Sequence, residues 1–212
     1  MNGPPPLPQA SSPVLTYAHF QQIAEAQKKL KKIRRAISVA NFDGWTIGIF
    51  GGLSLMFGMI GGISVSDIIV GLVLAGIALV ELRTAKNLRR LDVRSARILG
   101  FNQLALAALI ILYSLWRMHA SGSADSSEGQ MISQVADVDP GMASSVRSLT
   151  EQVSYALYGS LILFAILAQG GTALYYFSRE KYLRAYVEQT PQWILQMQQS
   201  PGGFEVISQP LL

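Results

Sequence analysis

Four stretches of apolar residues without charged side chains divide the chain, and they determine the elements that it predicts. They cover residues 44–66, 68–80, 98–116 and 152–178. Their apolar and polar positions do not alternate with a period of two, which argues against barrel strands and favours helices. A hydrocarbon core of about 30 Å needs about 20 helical residues, so the first, third and fourth stretches are long enough to cross a bilayer.

The second stretch is short for a membrane span and needs its neighbours to reach the required length. A helix that begins near Ile63 and ends at Leu82 is long enough, and Gly61 and Gly62 provide the tight turn before it. We therefore predict an all-α integral membrane protein built as a bundle of four transmembrane helices. The predicted spans lie at about residues 44–62, 63–82, 98–116 and 153–177.

The segments on the basic side of these spans carry patterns of their own. Residues 1–15 are rich in Pro and Ser and are expected to form a disordered tail. Residues 16–40 predict a basic amphipathic cytoplasmic helix, with its apolar stripe facing the membrane surface or a partner helix. Residues 83–97 predict a helical cytoplasmic hairpin, in which Asp92 caps the helix that enters the third span.

The fourth span is predicted to extend on both sides of the membrane. In the extracytoplasmic loop at residues 117–152, Asp139 and Pro140 are typical of a helix start. We therefore predict one long helix from about Pro140 to Glu188, within a membrane domain at residues 41–188. Apolar residues recur along its outer part at spacings of four and three: Met142, Val146, Leu149, Val153 and Ala156.

The chain after this helix predicts a cytoplasmic tail at residues 189–212. Pro191 ends the helix, because proline cannot continue the helical hydrogen bonding. Trp193, Ile194, Leu195 and Met197 then form a short apolar patch that is expected to fold back on the inner surface.

The distribution of basic residues predicts the threading. Six precede the first span, six lie between the second and third spans, and three follow the fourth, so 15 of the 17 Lys and Arg share one face. By the positive-inside rule this face is cytoplasmic, which places both termini inside. A bacterial inner (plasma) membrane is the default expectation for the location.

Composition narrows the function classes. Half of the residues are hydrophobic and 14% are charged, against about 25% charged in soluble domains. The chain has no cysteine, which excludes disulfides, thiolate catalysis and cysteine-ligated metals. His19 and His119 are too far apart in sequence to suggest a metal site, and no catalytic motif is found, so we expect no metal, no cofactor and no enzymatic activity. The basic stretches lack interleaved aromatics, which argues against nucleic-acid binding.

Glycines recur at helical spacings and predict close helix packing. Gly44, Gly48 and Gly52 lie at intervals of four, Gly58 and Gly62 repeat the spacing, and Gly71 pairs with Ala75. Small residues on one helical face let two backbones approach closely in lipid. The neighbour is a helix of the same bundle, a second copy of the chain or another membrane protein, and the spacing alone leaves these alternatives open.

Polar side chains gather in the cytoplasmic third of the predicted bundle. The candidate binding residues are Glu81, Asn102, Gln103, Gln169 and Thr172. One interpretation is a proton or cation site formed by Glu81, Asn102 and Gln169. The other is hydrogen-bond glue between helices, together with an acid close enough to the interface to escape most of the cost of burial.

These features favour a non-enzymatic interaction or scaffold protein that associates through glycine-rich helix faces and basic cytoplasmic helices. The alternative is a small channel or transporter that uses the polar cluster. The expected partners are the lipid bilayer and either a second copy of the chain or another membrane protein. Anionic headgroups are expected to meet the basic residues of the first helix: Lys28, Lys29, Lys31, Lys32, Arg34 and Arg35.

Overall fold

A computed structural model describes residues 16–60, 65–120, 127–137 and 139–200, and within these ranges the chain is helical and contains no strand. The helices are α1 (Tyr17–Ile60), α2 (Val65–Arg89), α3 (Val93–Ala120), α4 (Ser127–Ala136), α5 (Pro140–Phe164), α6 (Gly170–Gln189) and α7 (Gln192–Gln199). A π-helical turn, Ala165–Gln169, joins α5 to α6 without interrupting the helix. The predicted all-α class is confirmed.

Three helical segments of the described ranges are long and apolar enough to cross a membrane. They are Ile68–Arg89, which covers the second predicted span from residue 68 onwards, and Val93–Ala120 and Gly141–Gln189, which contain the third and fourth predicted spans. The first predicted span, residues 44–62, coincides with the second half of α1. Its last two residues, Gly61 and Gly62, lie outside the described residues, as do the tails at residues 1–15 and 201–212.

The helices pack in a closed order at one end of the bundle. α1 packs along α2, α2 against α3, and α3 against α5, the π turn and α6, while α6 returns to α1. We call the end that carries the first half of α1, the α2–α3 turn and α7 the basic end. Its core includes the fully buried residues Leu30, Ile33, Leu88, Leu99, Leu183 and Ile194. A smaller cluster, built on Ile47, Ile77, Ala78 and Leu106, continues between α1, α2 and α3.

The apolar stripe of the first helix is covered by the protein itself. Ile23, Leu30, Ile33 and Ile37 are buried in the core of the basic end, where they join Ile194 of α7. At the start of α1 the His19 ring meets the Trp193 ring edge-on, with centroids 5.4 Å apart. The patch after Pro191 therefore packs on the basic end. The stripe of α1, expected to face the membrane surface or a partner helix, is instead covered within the chain.

The helix starts predicted from the sequence are confirmed. Asp139 is the N-cap of α5, where its carboxylate accepts hydrogen bonds from the backbone N–H groups of Gly141 (2.8 Å) and Met142 (3.2 Å). Asp92 precedes α3 and accepts from the backbone N–H of Arg94 at 3.1 Å. These contacts satisfy N–H groups that the first turn of a helix leaves unpaired.

Two features of the long helix at the fourth predicted span, and of the segment before it, differ from the sequence prediction. The long helix does run from Pro140 to Gln189, but it contains the π turn at Ala165–Gln169, which the sequence did not predict. The segment between α3 and α5 also holds α4, a helix of 10 residues that packs on α5. A helix this short is marginal alone and depends on tertiary packing, so its local sequence is a weak guide to it.

Candidate functional site

Glu81 of α2 lies where three predicted spans and α1 approach each other, and its side chain is fully buried. α1 comes close at this level because Gly44 has no side chain. A Cβ at Gly44 would lie 2.9 Å from Leu82 and 3.3 Å from the Cβ of Glu81. Asn102 and Gln103 are consecutive residues of α3, and both are buried against α2. The packing of α1 and α3 thus encloses the carboxylate.

The carboxylate of Glu81 accepts hydrogen bonds from three neutral side chains. Asn102 Nδ2 donates to Glu81 Oε2 at 2.5 Å and to the backbone carbonyl of Ile77 at 3.2 Å. Gln103 Nε2 donates to Glu81 Oε1 at 3.2 Å, and the Tyr176 hydroxyl donates to the same oxygen at 3.3 Å. These bonds connect α2 with α3 and α6. We call Glu81, Asn102, Gln103 and Tyr176 the polar cluster.

A second carboxylate borders the polar cluster. Gln103 Nε2 also lies 3.5 Å from Asp43 Oδ2, so one amide approaches an acid of α1 and an acid of α2. The other amide atom, Gln103 Oε1, is buried and has no hydrogen-bond partner among the described residues. An uncompensated buried polar atom is costly and rare in proteins. The cluster therefore contains one buried oxygen able to accept a further donor or a cation.

The charge of Glu81 has no opposite charge beside it. Among the described residues, no Lys, Arg or His donates a hydrogen bond to the carboxylate. A buried carboxylate is costly unless hydrogen bonds compensate for the lost water. Two amides and a phenol supply that compensation here. Chemically, the arrangement can tie helices together, and it can hold a proton or a small cation.

Tyr176 was not predicted as a member of the cluster. In the sequence Tyr175, Tyr176 and Phe177 stand together at the end of the fourth predicted span, a position typical of aromatic anchors at a membrane border. Successive helical residues point about 100° apart, so three neighbours cannot share one environment. Tyr176 is fully buried, while Tyr175 is half-buried and its ring lies 4.4 Å below the Arg179 guanidinium. Tyr176 lies seven residues, about two helical turns, after Gln169 and so on the same helical face. That spacing could have identified Tyr176 from the sequence.

Two of the candidate residues lie apart from the cluster. Gln169 is in the π turn, seven residues and about 10 Å from Tyr176, and among the described residues no hydrogen bond joins it to Glu81. Thr172 Oγ1 donates to the carbonyl of Ala168 within its own helix, at 2.8 Å. The structure therefore brings together Glu81, Asn102 and Gln103, and places Gln169 and Thr172 elsewhere.

Some of the glycines predicted to mediate helix packing lie against a neighbouring helix, and others face open space. A Cβ at Gly48 would lie 3.6 Å from the Cβ of Ala78, and one at Gly71 would lie 2.7 Å from Leu55. Gly58 is buried, and Gly62 lies outside the described residues. A Cβ at Gly52 would meet nothing within 4 Å. Gly44, Gly48 and Gly71 thus serve the α1–α2 contact inside the chain, and Gly52 faces outward.

Two further glycines lie against a neighbouring helix, and the sequence pattern did not single them out as packing positions. A Cβ at Gly51 would lie 3.1 Å from the backbone nitrogen of Ala75 and 3.2 Å from the carbonyl of Gly71. A Cβ at Gly100 would lie 2.5 Å from the ring of Phe177. Gly51 therefore lets the backbone of α1 lie against the backbone of α2, and Gly100 makes room for an aromatic ring of α6.

Within the described ranges, no three side chains of His, Cys, Asp or Glu form a group that could hold a metal ion. The polar cluster is therefore described without a metal. Comparisons of the chain with protein-family models, with curated proteins and with solved structures found no match.

Proposed function

We propose that the chain crosses the membrane four times, with both termini in the cytoplasm. The support for a first span comes from α1, which lies antiparallel to α2 over the predicted spans: Gly44 faces Leu82, Gly48 faces Ala78, and Gly51 faces Gly71. If α2 crosses the bilayer, the second half of α1 must cross at the same depth. The basic residues before α1's span and after α2 then share one side, which the positive-inside rule makes cytoplasmic.

The function that this geometry supports best is non-enzymatic interaction within the membrane, in which the protein assembles through the long helix formed by α5, the π turn and α6. The observation that supports this proposal is an exposed apolar stripe on α5. It is formed by Met142, Leu149 and Val153, whose exposed fractions are 58%, 60% and 63%. In the proposed threading Met142 lies about 16 Å beyond Val153, outside the predicted span. Large apolar side chains that share one face of a helix in water usually mark a contact surface.

The spacing of this stripe suits a second helix. Its members are separated by seven and four residues, as in the seam of a coiled coil. Another face of α5 is covered within the chain, because α4 packs on α5 and Ala143, about 100° from Met142, is buried. Leu157, which is 52% exposed, continues the stripe into the predicted span. The long helix formed by α5, the π turn and α6 is also the least covered by other parts of the chain. In its most apolar stretch 11% of the residues are buried, against 28% in α2 and 33% in α3.

We propose a second copy of the chain as the partner, paired in parallel about an axis along the membrane normal. The stripe itself carries no charge, and Arg147 and Glu151 beside it already form an ion pair within α5, with Nε and Oε1 3.4 Å apart. Two identical stripes therefore meet without repulsion between like charges. A parallel pair also keeps both copies in the same orientation in the membrane.

The natural absence of cysteine makes this assembly directly testable by crosslinking. We expect Leu149→Cys to form a disulfide-linked dimer when native membranes are treated with a mild oxidant, because a symmetric seam places the two Leu149 positions together. The matched control is Ser144→Cys. Ser144 is exposed on the same helix but points about 140° away from Leu149, so it should remain monomeric. Equal crosslinking of both variants, or none of Leu149→Cys, would contradict the proposal.

The alternative function is a small channel or transporter that uses the polar cluster. The observation in its favour is the unpartnered oxygen of Gln103, which lies in a group with the carboxylates of Glu81 and Asp43. Carboxylate and amide oxygens suit hard cations, and a carboxylate inside a membrane bundle is a common proton carrier.

This alternative predicts a flux that depends on Glu81. In liposomes that contain the purified protein, a proton or cation flux should fall to the level of empty liposomes in Glu81→Gln, because the amide removes the charge and keeps the shape. Glu188→Gln, at an exposed position near the end of α6, should leave the flux unchanged. If the wild-type protein carries no flux, or Glu81→Gln carries as much as the wild type, the polar cluster is not a transport site.

A further inference from the structure

A groove of about 760 Å³ lies between α1 and the long helix formed by α5, the π turn and α6, near the basic end. α1 contributes Lys31, Arg34, Arg35, Ser38 and Val39, and the π turn and α6 contribute Ala168, Gly171, Thr172 and Tyr175. The α1 members recur at spacings of three and four, so they lie on one helical face. The volume is in the range of small-molecule binding sites, about 300–1,000 Å³.

The two walls run in opposite directions, and this orients the groove. Lys29 Nζ donates to Gln189 Oε1 at 2.9 Å, and Lys32 Nζ lies 4.3 Å above the Tyr182 ring. Residues late in α6 therefore lie beside residues early in α1, at the basic end. Ala168, seven residues before Tyr175, lies about 10 Å further from this end. One end of the groove is consequently lined by cationic side chains, and the other by small, apolar residues.

The cationic end is arranged for an anion. Lys31, Arg34 and Arg35 are exposed, and none of the nine residues that line the groove is acidic. Glu180 on α6 is engaged elsewhere, because its carboxylate bonds Arg97 at 2.8 Å and Arg184 at 3.1 Å. Guanidinium groups are well suited to bind a phosphate through paired hydrogen bonds.

The other end is arranged for an apolar chain. A Cβ at Gly171 would meet nothing within 4 Å, so the wall is low at this point. The hydroxyl of Thr172 is turned to its own helix, where it donates to Ala168. In the proposed threading this end faces the hydrocarbon region, and the cationic end lies at the cytoplasmic headgroup level.

We propose that this groove binds one anionic phospholipid of the cytoplasmic leaflet. Its phosphate lies against Lys31, Arg34 and Arg35, and an acyl chain extends past Gly171 towards Ala168. A free phosphate would leave the apolar end unfilled, and a zwitterionic lipid would bring a cation to a cationic wall. The site depends on the proposed threading and is independent of the α5 contact between copies, so the two proposals fail separately.

The test uses the purified full-length protein, delipidated in detergent, with phosphatidylglycerol and phosphatidylcholine of matched acyl chains as probes. Native mass spectrometry counts the bound lipid. Wild type is expected to prefer phosphatidylglycerol, and Lys31→Gln/Arg35→Gln to bind it roughly 30-fold more weakly, which corresponds to about 1 kcal/mol for each cation. The matched control, Lys28→Gln/Arg89→Gln, removes two exposed basic residues of the same end outside the groove and should bind as wild type does.

A second pair of variants tests the apolar end. Gly171→Leu places a side chain in the groove and should also lower phosphatidylglycerol binding about tenfold or more, whereas Gly159→Leu, at a similarly open glycine, should not. Equal weakening by both charge pairs would show diffuse attraction and overturn the proposal. So would wild-type binding by Gly171→Leu, or full displacement of the lipid by millimolar inorganic phosphate.

Discussion

Replacement of Glu81 by leucine is expected to lower the free energy of unfolding by about 3 kcal/mol, the largest effect of a side-chain substitution in the polar cluster. The variant removes an acceptor shared by the buried donors Asn102, Gln103 and Tyr176, and leaves Asn102 only the Ile77 carbonyl and Gln103 only the longer contact to Asp43. Each unpaired buried donor costs about 1–3 kcal/mol, which the added apolar contact of leucine only partly offsets. Unfolding of the purified protein in detergent measures the change, and Glu188→Leu, at an exposed site, serves as the control.

A double variant separates the loss of hydrogen bonds from the loss of shape. Glu81→Leu/Asn102→Leu removes an acceptor and one of its donors together, so it should be destabilised by less than the sum of the two single changes. Additive effects, or a Glu81→Leu variant as stable as the wild type, would show that the cluster does not hold α2, α3 and α6 together. Such a result would also remove the structural interpretation of Glu81 and leave only a functional one.

Leucine at Gly51 is expected to destabilise the protein by about 3 kcal/mol, whereas leucine at the adjacent Gly52 should have almost no effect. At Gly51 even a Cβ would lie 3.1 Å from the backbone of Ala75, and backbone atoms cannot move aside as a flexible side chain can. At Gly52 a Cβ meets nothing within 4 Å. The two helices would have to separate in the first variant only, and thermal unfolding in detergent compares them directly.

The adjacency of these two glycines makes the comparison strict. Both variants add the same side chain to neighbouring positions of α1, so helix propensity, depth in the membrane and overall hydrophobicity are matched. Similar stabilities of the two proteins would mean that α1 does not meet α2 through Gly51. A loss confined to Gly52→Leu would instead place a partner on the outer face of α1.

Local physical chemistry made the helices and their ends predictable. Asp139 and Pro140 start α5 because a carboxylate can accept from the free N–H groups of the first turn, whatever the rest of the chain does. The apolar stretches were recognisable in the same way, because the thickness of a bilayer sets the length that a spanning helix needs. The π turn and α4 escaped prediction because each depends on packing against a neighbouring helix.

The position of residues along the helices was predictable in part, but rotation about the helix axes was not. The charge pattern placed Glu81, Asn102, Gln103 and Gln169 at a similar depth, and the structure joins the first three. Gln169 lies about 10 Å along the helix from Tyr176, and only the packing of α6 on α2 and α3 brings Tyr176 to Glu81. Depth follows from the free energy of transfer into lipid, which every residue contributes to separately.

The glycines show the same limit. The spacing of four favoured Gly52 as the third member after Gly44 and Gly48, whereas α2 meets Gly51. A helix has 3.6 residues per turn, so spacings of three and four both keep a face, and the crossing of the two helices decides between them.

The sequence by itself determined that the chain is helical, which segments are apolar enough for lipid and where the helices begin, because each of these depends on short-range physical chemistry. Only the tertiary structure decided which faces meet: Tyr176 with Glu81, Gly51 with Gly71, and the stripe of α1 with α7. Those contacts join residues far apart in the chain, and a rotation of one helix by the angle of a single residue would replace each of them.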